Sequence, residues 1–126
     1  MGLITTMLTL SNPRRPDIAP ISEEALADTG SVYLILPETM QRRLGLEIDA
    51  QRTVTLADGT KRSVPYVGPV KIGFKNRVAF VGAIVMGDQV LLGAIPMEDM
   101  DLVLSPNRRS IDVNPASPDV ATALAK

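Results

Sequence analysis

An all-β domain, either a barrel or a sandwich, is the fold class this sequence predicts. Three observations carry the prediction. Short apolar or alternating runs recur along the chain, turns rich in Gly, Pro, Asn and Asp separate them, and only one segment has a clear helical pattern. The 126 residues are enough for one domain with a substantial core. Apolar residues make up 45% but aromatics only 3%, so that core must be built of Leu, Val, Ile, Met and Ala.

Near the amino terminus Leu8 and Leu10 alternate around Thr9 in a run rich in β-branched residues, which predicts a first strand. Gly2 with Thr6 formally fits a myristoylation pattern, but the strand pattern outweighs so short a motif. A basic segment and a long apolar segment, as in a secretory signal, are both missing, and no stretch approaches a membrane span. The expected location is cytoplasmic. Residues 11–16 form a loop broken by Pro13 and Pro16. Residues 18–27 resume as a strand, and residues 32–36, nearly all apolar, read as a strand buried on both faces.

The helix is residues 37–45. Pro37 suits the first turn, Glu38 and the pair Arg42 and Arg43 complement the dipole, and Gly45 can take the left-handed cap. Leu36, Met40 and Leu44 make its inward stripe. Next, Ala57, Asp58, Gly59 and Thr60 lie between the alternating runs 53–56 and 62–64, a strong hairpin signal. A bend at 65–69, a strand at 70–74 and a turn at Lys75 and Asn76 follow, with Asn76 in the left-handed position. Residues 78–86 form a long apolar strand closed by Gly87 and Asp88. Residues 90–94 are an apolar strand ending at Gly93, where another backbone can approach closely. A helical turn at 96–100 and short strands at 102–104 and 111–113 complete the pattern. The expected boundary puts the folded domain at 1–114 and a flexible Ala-, Pro- and Ser-rich tail at 115–126.

Composition narrows the chemistry. Thirteen Lys and Arg against fourteen Asp and Glu give a net charge of -1, so no basic excess points to nucleic acid or a membrane surface. Without cysteine there are no disulfides, thiolate nucleophiles or zinc–thiolate sites. Without histidine, Ser-His and Cys-His nucleophile systems and imidazole metal sites are out of reach as well. Acid–base work near neutrality falls mainly to carboxylates.

Asp28, Thr29, Gly30 and Ser31 place such a carboxylate at a strand end, wedged between apolar runs, with a glycine that lets the backbone turn. Asp and Gly are also ordinary turn residues, and average usage gives one chance Asp-Thr-Gly in a chain this size about a 3% probability, so the tripeptide draws its weight from its flanks. A metal site using Glu23, Glu24 and Asp28 is a poor alternative, because neighbours on a strand point to opposite faces.

Residues 25–31, followed some sixty residues later by Leu91, Leu92 and Gly93 after another apolar strand, resemble the retropepsin-like aspartic proteases, in particular the small single-domain bacterial members. The order between the two stretches is similar too: a helix ending at Leu44-Gly45-Leu46, a hairpin at 57–60, a strand, then the apolar-apolar-Gly turn and a short helix. The resemblance covers residues 5–113 and implies a closed β-barrel of the acid protease fold with one or two short helices. It implies that Asp28 is the general acid/base and that Thr29 braces two such loops across a dimer axis. Gly30 would allow the turn, and the Ser31 hydroxyl would reach the outer oxygen of Asp28, where single-domain members commonly have alanine. Residues 57–60 would be a flap over substrate, although no aromatic lies near the tip and Tyr66 is several residues beyond it. Leu91, Leu92 and Gly93 would pack beneath the catalytic loop.

Hydrolysis by two carboxyls sharing one proton needs two of them, and this chain has a single Asp-Thr-Gly and is too short for a duplicated lobe. The expectation is therefore an aspartic endopeptidase that forms a homodimer, with Asp28 of each chain meeting on the two-fold axis. Its substrate would be a peptide or unfolded protein, its optimum acidic to mildly acidic, and it would need no metal or other cofactor. The alternatives are a protease-fold module that binds peptides or partners without cleaving them, and a purely structural β domain.

Overall fold

Alternation along the strands sends one face of each into a shared interior, and the computed structural model describes this arrangement for residues 3–125. Gly2, the acceptor of the acylation pattern, lies outside those residues. In β1 (Thr5–Ser11) Leu8 and Leu10 are buried while Thr9 between them is exposed. The same alternation recurs in β5 (Lys61–Phe74), which buries Val70, Ile72 and Phe74, and in β6 (Arg77–Val85), which buries Ala79, Val81 and Ala83. Leu34, Leu36, Val67 and Leu92 join them in one aliphatic core, where each such side chain contributes about 1.5–3 kcal/mol.

The remaining strands are β2 (Ile21–Ala27), β3 (Leu34–Leu36), β4 (Ile48–Thr55) and β7 (Val90–Leu92), with β8 (Leu102–Ser105) and β9 (Ser110–Val113) as a separate antiparallel pair. The helices are α1 (Glu38–Arg43) and α2 (Ala94–Asp99). The main sheet runs β1-β2-β7-β3-β6-β5-β4, and β5 returns to β1 through Thr9–Gly73, Leu10–Ile72 and Ser11–Lys71. That last pairing closes six strands into a ring and decides for a barrel over a sandwich. β4 stays outside the ring, paired only with β5, as a hairpin arm.

Helix α1 packs through Met40 and Leu44. Its end has the expected left-handed Gly45 (φ 63°), with the Leu46 N–H donating to Gln41 O and the Gly45 N–H to Arg42 O. Buried Asn12 finishes the cap, its Nδ2 donating to the carbonyls of Leu44 at 3.0 Å and Gly45 at 3.2 Å.

Several expected boundaries move. β2 begins at Ile21 rather than residue 18, because the Ile18 N–H closes a turn onto Arg15 O. β3 is only Leu34–Leu36, and Val32 is exposed, since the carbonyls of Ser31 and Val32 are directed to the N–H groups of Ala94 and Ile95. The bend expected at 65–69 is absorbed into continuous β5 as a bulge between Val67 and Val70 containing the cis Gly68–Pro69 peptide. In the β5–β6 turn Lys75 (φ 50°), not Asn76, takes the left-handed conformation. Among the described residues no helix is long and apolar enough to cross a membrane.

Arg77 lies under the carboxy-terminal segment, its Nη2 donating to Ser117 O, and Asn76 Nδ2 donates to Pro118 O at 2.8 Å. From the other side Asp101 accepts from the Ser117 hydroxyl, from Asn114 Nδ2 at 3.1 Å and from the Thr122 N–H at 3.0 Å. These donors, the Ser117 hydroxyl foremost, hold the Asp101 carboxyl below its ordinary value of 3.8. A depressed folded-state pKa stabilises fully above the unfolded value, and the contribution fades as pH falls through the folded one. The Thr122 amide resonance should therefore hold its position from neutral pH down to about pH 4 and shift only below it, and Asp101→Ala should abolish the bonded shift at every pH.

Candidate active site

β2 delivers Asp28 to the end of the barrel. The Ala27 N–H donates to Ile4 O at 2.8 Å and the Asp28 N–H to Leu92 O at 3.0 Å, so the backbone is held on both sides as it leaves the sheet. The Ser31 N–H then donates to Asp28 O at 3.0 Å, closing the turn. Within it the Gly30 N–H donates to Asp28 Oδ1 at 3.0 Å and the Ser31 hydroxyl to Oδ2 at 3.1 Å. Each carboxylate oxygen thus has one donor from its own loop and keeps acceptor capacity for a second partner. Asp28 is half-buried, Thr29 and Gly30 are exposed at the apex, and Asp28 takes no part in the ion pairs among the described residues.

β7 supports this loop. It lies between β2 and β3, parallel to the first (Ala25–Val90, Leu26–Leu91, Ala27–Leu92) and antiparallel to the second (Ile35–Leu91). Leu92 is buried and Leu91 half-buried. At Gly93 the backbone passes directly under the loop: an added Cβ would overlap Tyr33 O and come within 2.7 Å of Ser31 O. Immediately beyond, the first N–H groups of α2, which have no partner inside the helix, find one in the loop. Ala94 donates to Ser31 O at 2.8 Å and Ile95 to Val32 O at 2.9 Å. The structure therefore brings Asp28, Gly30, Ser31, Leu91, Leu92 and Gly93 into one unit.

Ala57, Asp58, Gly59 and Thr60 stand apart from it, at the tip of the β4–β5 hairpin. The Gly59 N–H donates to Leu56 O at 2.9 Å and the Leu56 N–H to Thr60 O at 2.8 Å, a turn closed by left-handed Gly59 (φ 86°). Asp58 Oδ1 accepts from the Thr60 N–H and hydroxyl, and these two bonds, the hydroxyl first, hold its carboxyl below the usual range. The arm touches the segment that follows the Asp28 loop, where Arg52 Nη1 donates to the Tyr33 hydroxyl at 3.2 Å. Sequence reading missed Arg52, Tyr33 and the Gly82 on which Tyr66 rests, because only the fold brings them together. A groove beside α1, lined by Arg42, Ile48, Arg62 and Met86, does not include Asp28.

A six-stranded closed barrel, a central strand crossing under an Asp-Thr-Gly loop and a projecting hairpin together define the acid protease fold in its retropepsin-like form. Among solved structures, the EIAV protease in complex with the inhibitor HBY-793 matches with a TM-score of 0.58 at 20% identity, covering 78% of this chain and 88% of that one. That likeness is to a retroviral protease and concerns the fold. No family profile matches the chain, and no curated protein matches it in sequence.

Gly93→Ala should destabilise the protein by about 2–3 kcal/mol in urea unfolding, because the obstacle is backbone on two sides. Gly59→Ala, with no neighbour within 4 Å, should cost only the left-handed backbone strain of about 1–2 kcal/mol. Equal effects at the two positions would show that the Gly93 contact does not hold the loop.

Proposed function

We propose that the chain is an aspartic endopeptidase working as a two-fold homodimer, with the Asp28 carboxyls of two chains forming one site. The observation that carries this reading is the Asp28 carboxylate itself: oriented by one donor on each oxygen, half-buried and, among the described residues, in no ion pair. Such a group is half of an acid–base pair, and a two-fold axis supplies the other half.

Two carboxyls brought together this way share one proton, and their titration belongs to the pair. The ionised carboxyl takes a proton from water as the water oxygen bonds to the scissile carbonyl carbon. The neutral carboxyl gives its proton to the carbonyl oxygen, leaving a tetrahedral diol. When the C–N bond breaks, the nitrogen takes the proton that came from water, and a diol hydroxyl returns its proton to the other carboxyl. The shared-proton state is restored and no cofactor is consumed. Thr29, exposed at the loop apex, would brace the two loops across the axis. Leu91, Leu92 and Gly93 would support the loop from below, and residues 57–60 would close over a peptide or unfolded protein segment and exclude water.

A second reading, a module that binds peptides without cutting them, is favoured by the hairpin tip. Ala57 is the only apolar residue among its four, and all four are exposed. Digestion of an unfolded protein from acidic to neutral pH, comparing the wild type with Asp28→Asn, separates the two. The wild type should cleave best on the acidic side, and Asp28→Asn, equally folded by circular dichroism, should lose roughly 10²- to 10⁴-fold or more. Equal cleavage by both proteins would overturn the assignment of Asp28, and binding without cleavage by either would favour the module.

A further inference from the structure

Tyr33 and Tyr66 are the only two tyrosines in a sequence without tryptophan, and they meet. Their ring centroids are 5.9 Å apart with planes at 67°, an edge-to-face contact. The Arg52 guanidinium lies 4.2 Å from the Tyr66 ring centre and 5.8 Å from that of Tyr33, in addition to its hydrogen bond to the Tyr33 hydroxyl. The three residues come from three parts of the chain. Arg52 is on the inbound strand of the hairpin, Tyr66 on the outbound strand, and Tyr33 two residues past Ser31.

Register explains the contact. Arg52 pairs with Val64 and Ala50 with Tyr66, so Arg52 and Tyr66 are diagonal neighbours on one face of the ribbon. Tyr66 lies flat over β6 because residue 82 has no side chain: an added Cβ would overlap the ring, 2.6 Å from its Cε1. Elsewhere β4 is held by its pairing with β5 and buries little of its own, since every residue of the strand except Val54 is exposed. The arm therefore docks on the segment leaving the catalytic loop through a cation held between two rings.

We propose that Arg52 is a positioning residue, a clasp that sets how much of the population holds the β4–β5 hairpin in place over the Asp28 site. The proposal deepens the peptidase reading, in which this hairpin covers substrate, and rests on it. A cation–π contact and one hydrogen bond together bias a two-state placement roughly tenfold. When the competent placement is less populated, apparent substrate affinity falls by the same fraction, while chemistry at Asp28 in the bound complex is spared.

Three variants test this. Arg52→Ala removes the clasp, and Arg52→Lys keeps charge over the rings but loses the fork that reaches the Tyr33 hydroxyl. Gly82→Ala forces the Tyr66 ring out of the position in which it meets Arg52 and Tyr33, because the added Cβ would overlap the ring's outer end. The first readout needs no activity: the near-ultraviolet tyrosine dichroism comes from this pair alone, so Arg52→Ala and Gly82→Ala should both collapse it with little change in melting temperature. The second readout is steady-state cleavage of a quenched fluorescent peptide. Arg52→Ala and Gly82→Ala should raise KM roughly tenfold and change kcat less than threefold, with Arg52→Lys in between. An unchanged tyrosine signal in Arg52→Ala, or a loss in kcat at constant KM, would overturn the clasp. A collapsed signal in a protein whose wild type cleaves nothing would uphold the contact as a hairpin anchor and overturn its role over a peptidase site, and with it the peptidase reading.

Discussion

At Gly93 the backbone runs so close beneath the carbonyls of Ser31 and Tyr33 that no side chain fits between. This approach links the two ends of the barrel sequence. β7 can enter between β2 and β3 only if Gly93, the residue that follows it, clears the turn that joins them, and α2 can begin only because its first free N–H groups meet the carbonyls of that turn. The loop holding Asp28 is thereby fastened from below by Leu92, Ala94 and Ile95 rather than left as an exposed bend. Its rigidity is a backbone property, set by hydrogen bonds at 2.8–3.0 Å.

That fastening shapes what Asp28 can do. With Gly30 and Ser31 each donating to one carboxylate oxygen, the side chain has a fixed orientation on a loop that cannot easily shift. One chain offers one such carboxyl. The hairpin arm obeys a different logic: its strand β4 lies outside the ring and is exposed on both faces along most of its length, and the arm meets the loop segment through Arg52 and Tyr66, which both contact Tyr33. In the proposed peptidase these would be the two parts that acid–base hydrolysis of a bulky substrate requires, a carboxylate held still and a cover able to open.

Much of this was legible in the residues. Leu8 and Leu10 around Thr9, the stripe of Met40 and Leu44 capped by Gly45, and Asp58-Gly59 between alternating runs each map to the element they predict. Asp28 and Gly93 stood out because an acidic turn and a strand-ending glycine follow apolar runs. What could not be read depended on contacts distant in sequence. The first half of β4 has no apolar period, because a ribbon exposed on both faces imposes none. Pro65 and Pro69 suggested a bend where a bulge keeps β5 continuous. The burial of Arg77 carries no local signal, because it depends on the segment at Ser117, forty residues on, that covers it. Arg52, Tyr33 and Tyr66 carry no local signal at all, since only the hairpin register and Gly82 bring them together.

The central claim is that one chain carries half a site. Mixing wild-type protein with Asp28→Asn in increasing proportion, allowing subunits to exchange, and following peptide cleavage at constant total protein tests it directly. If each site takes one carboxyl from each of two chains, activity should fall as the square of the wild-type fraction. A fall in simple proportion to that fraction would mean that each chain acts alone, and would contradict the account.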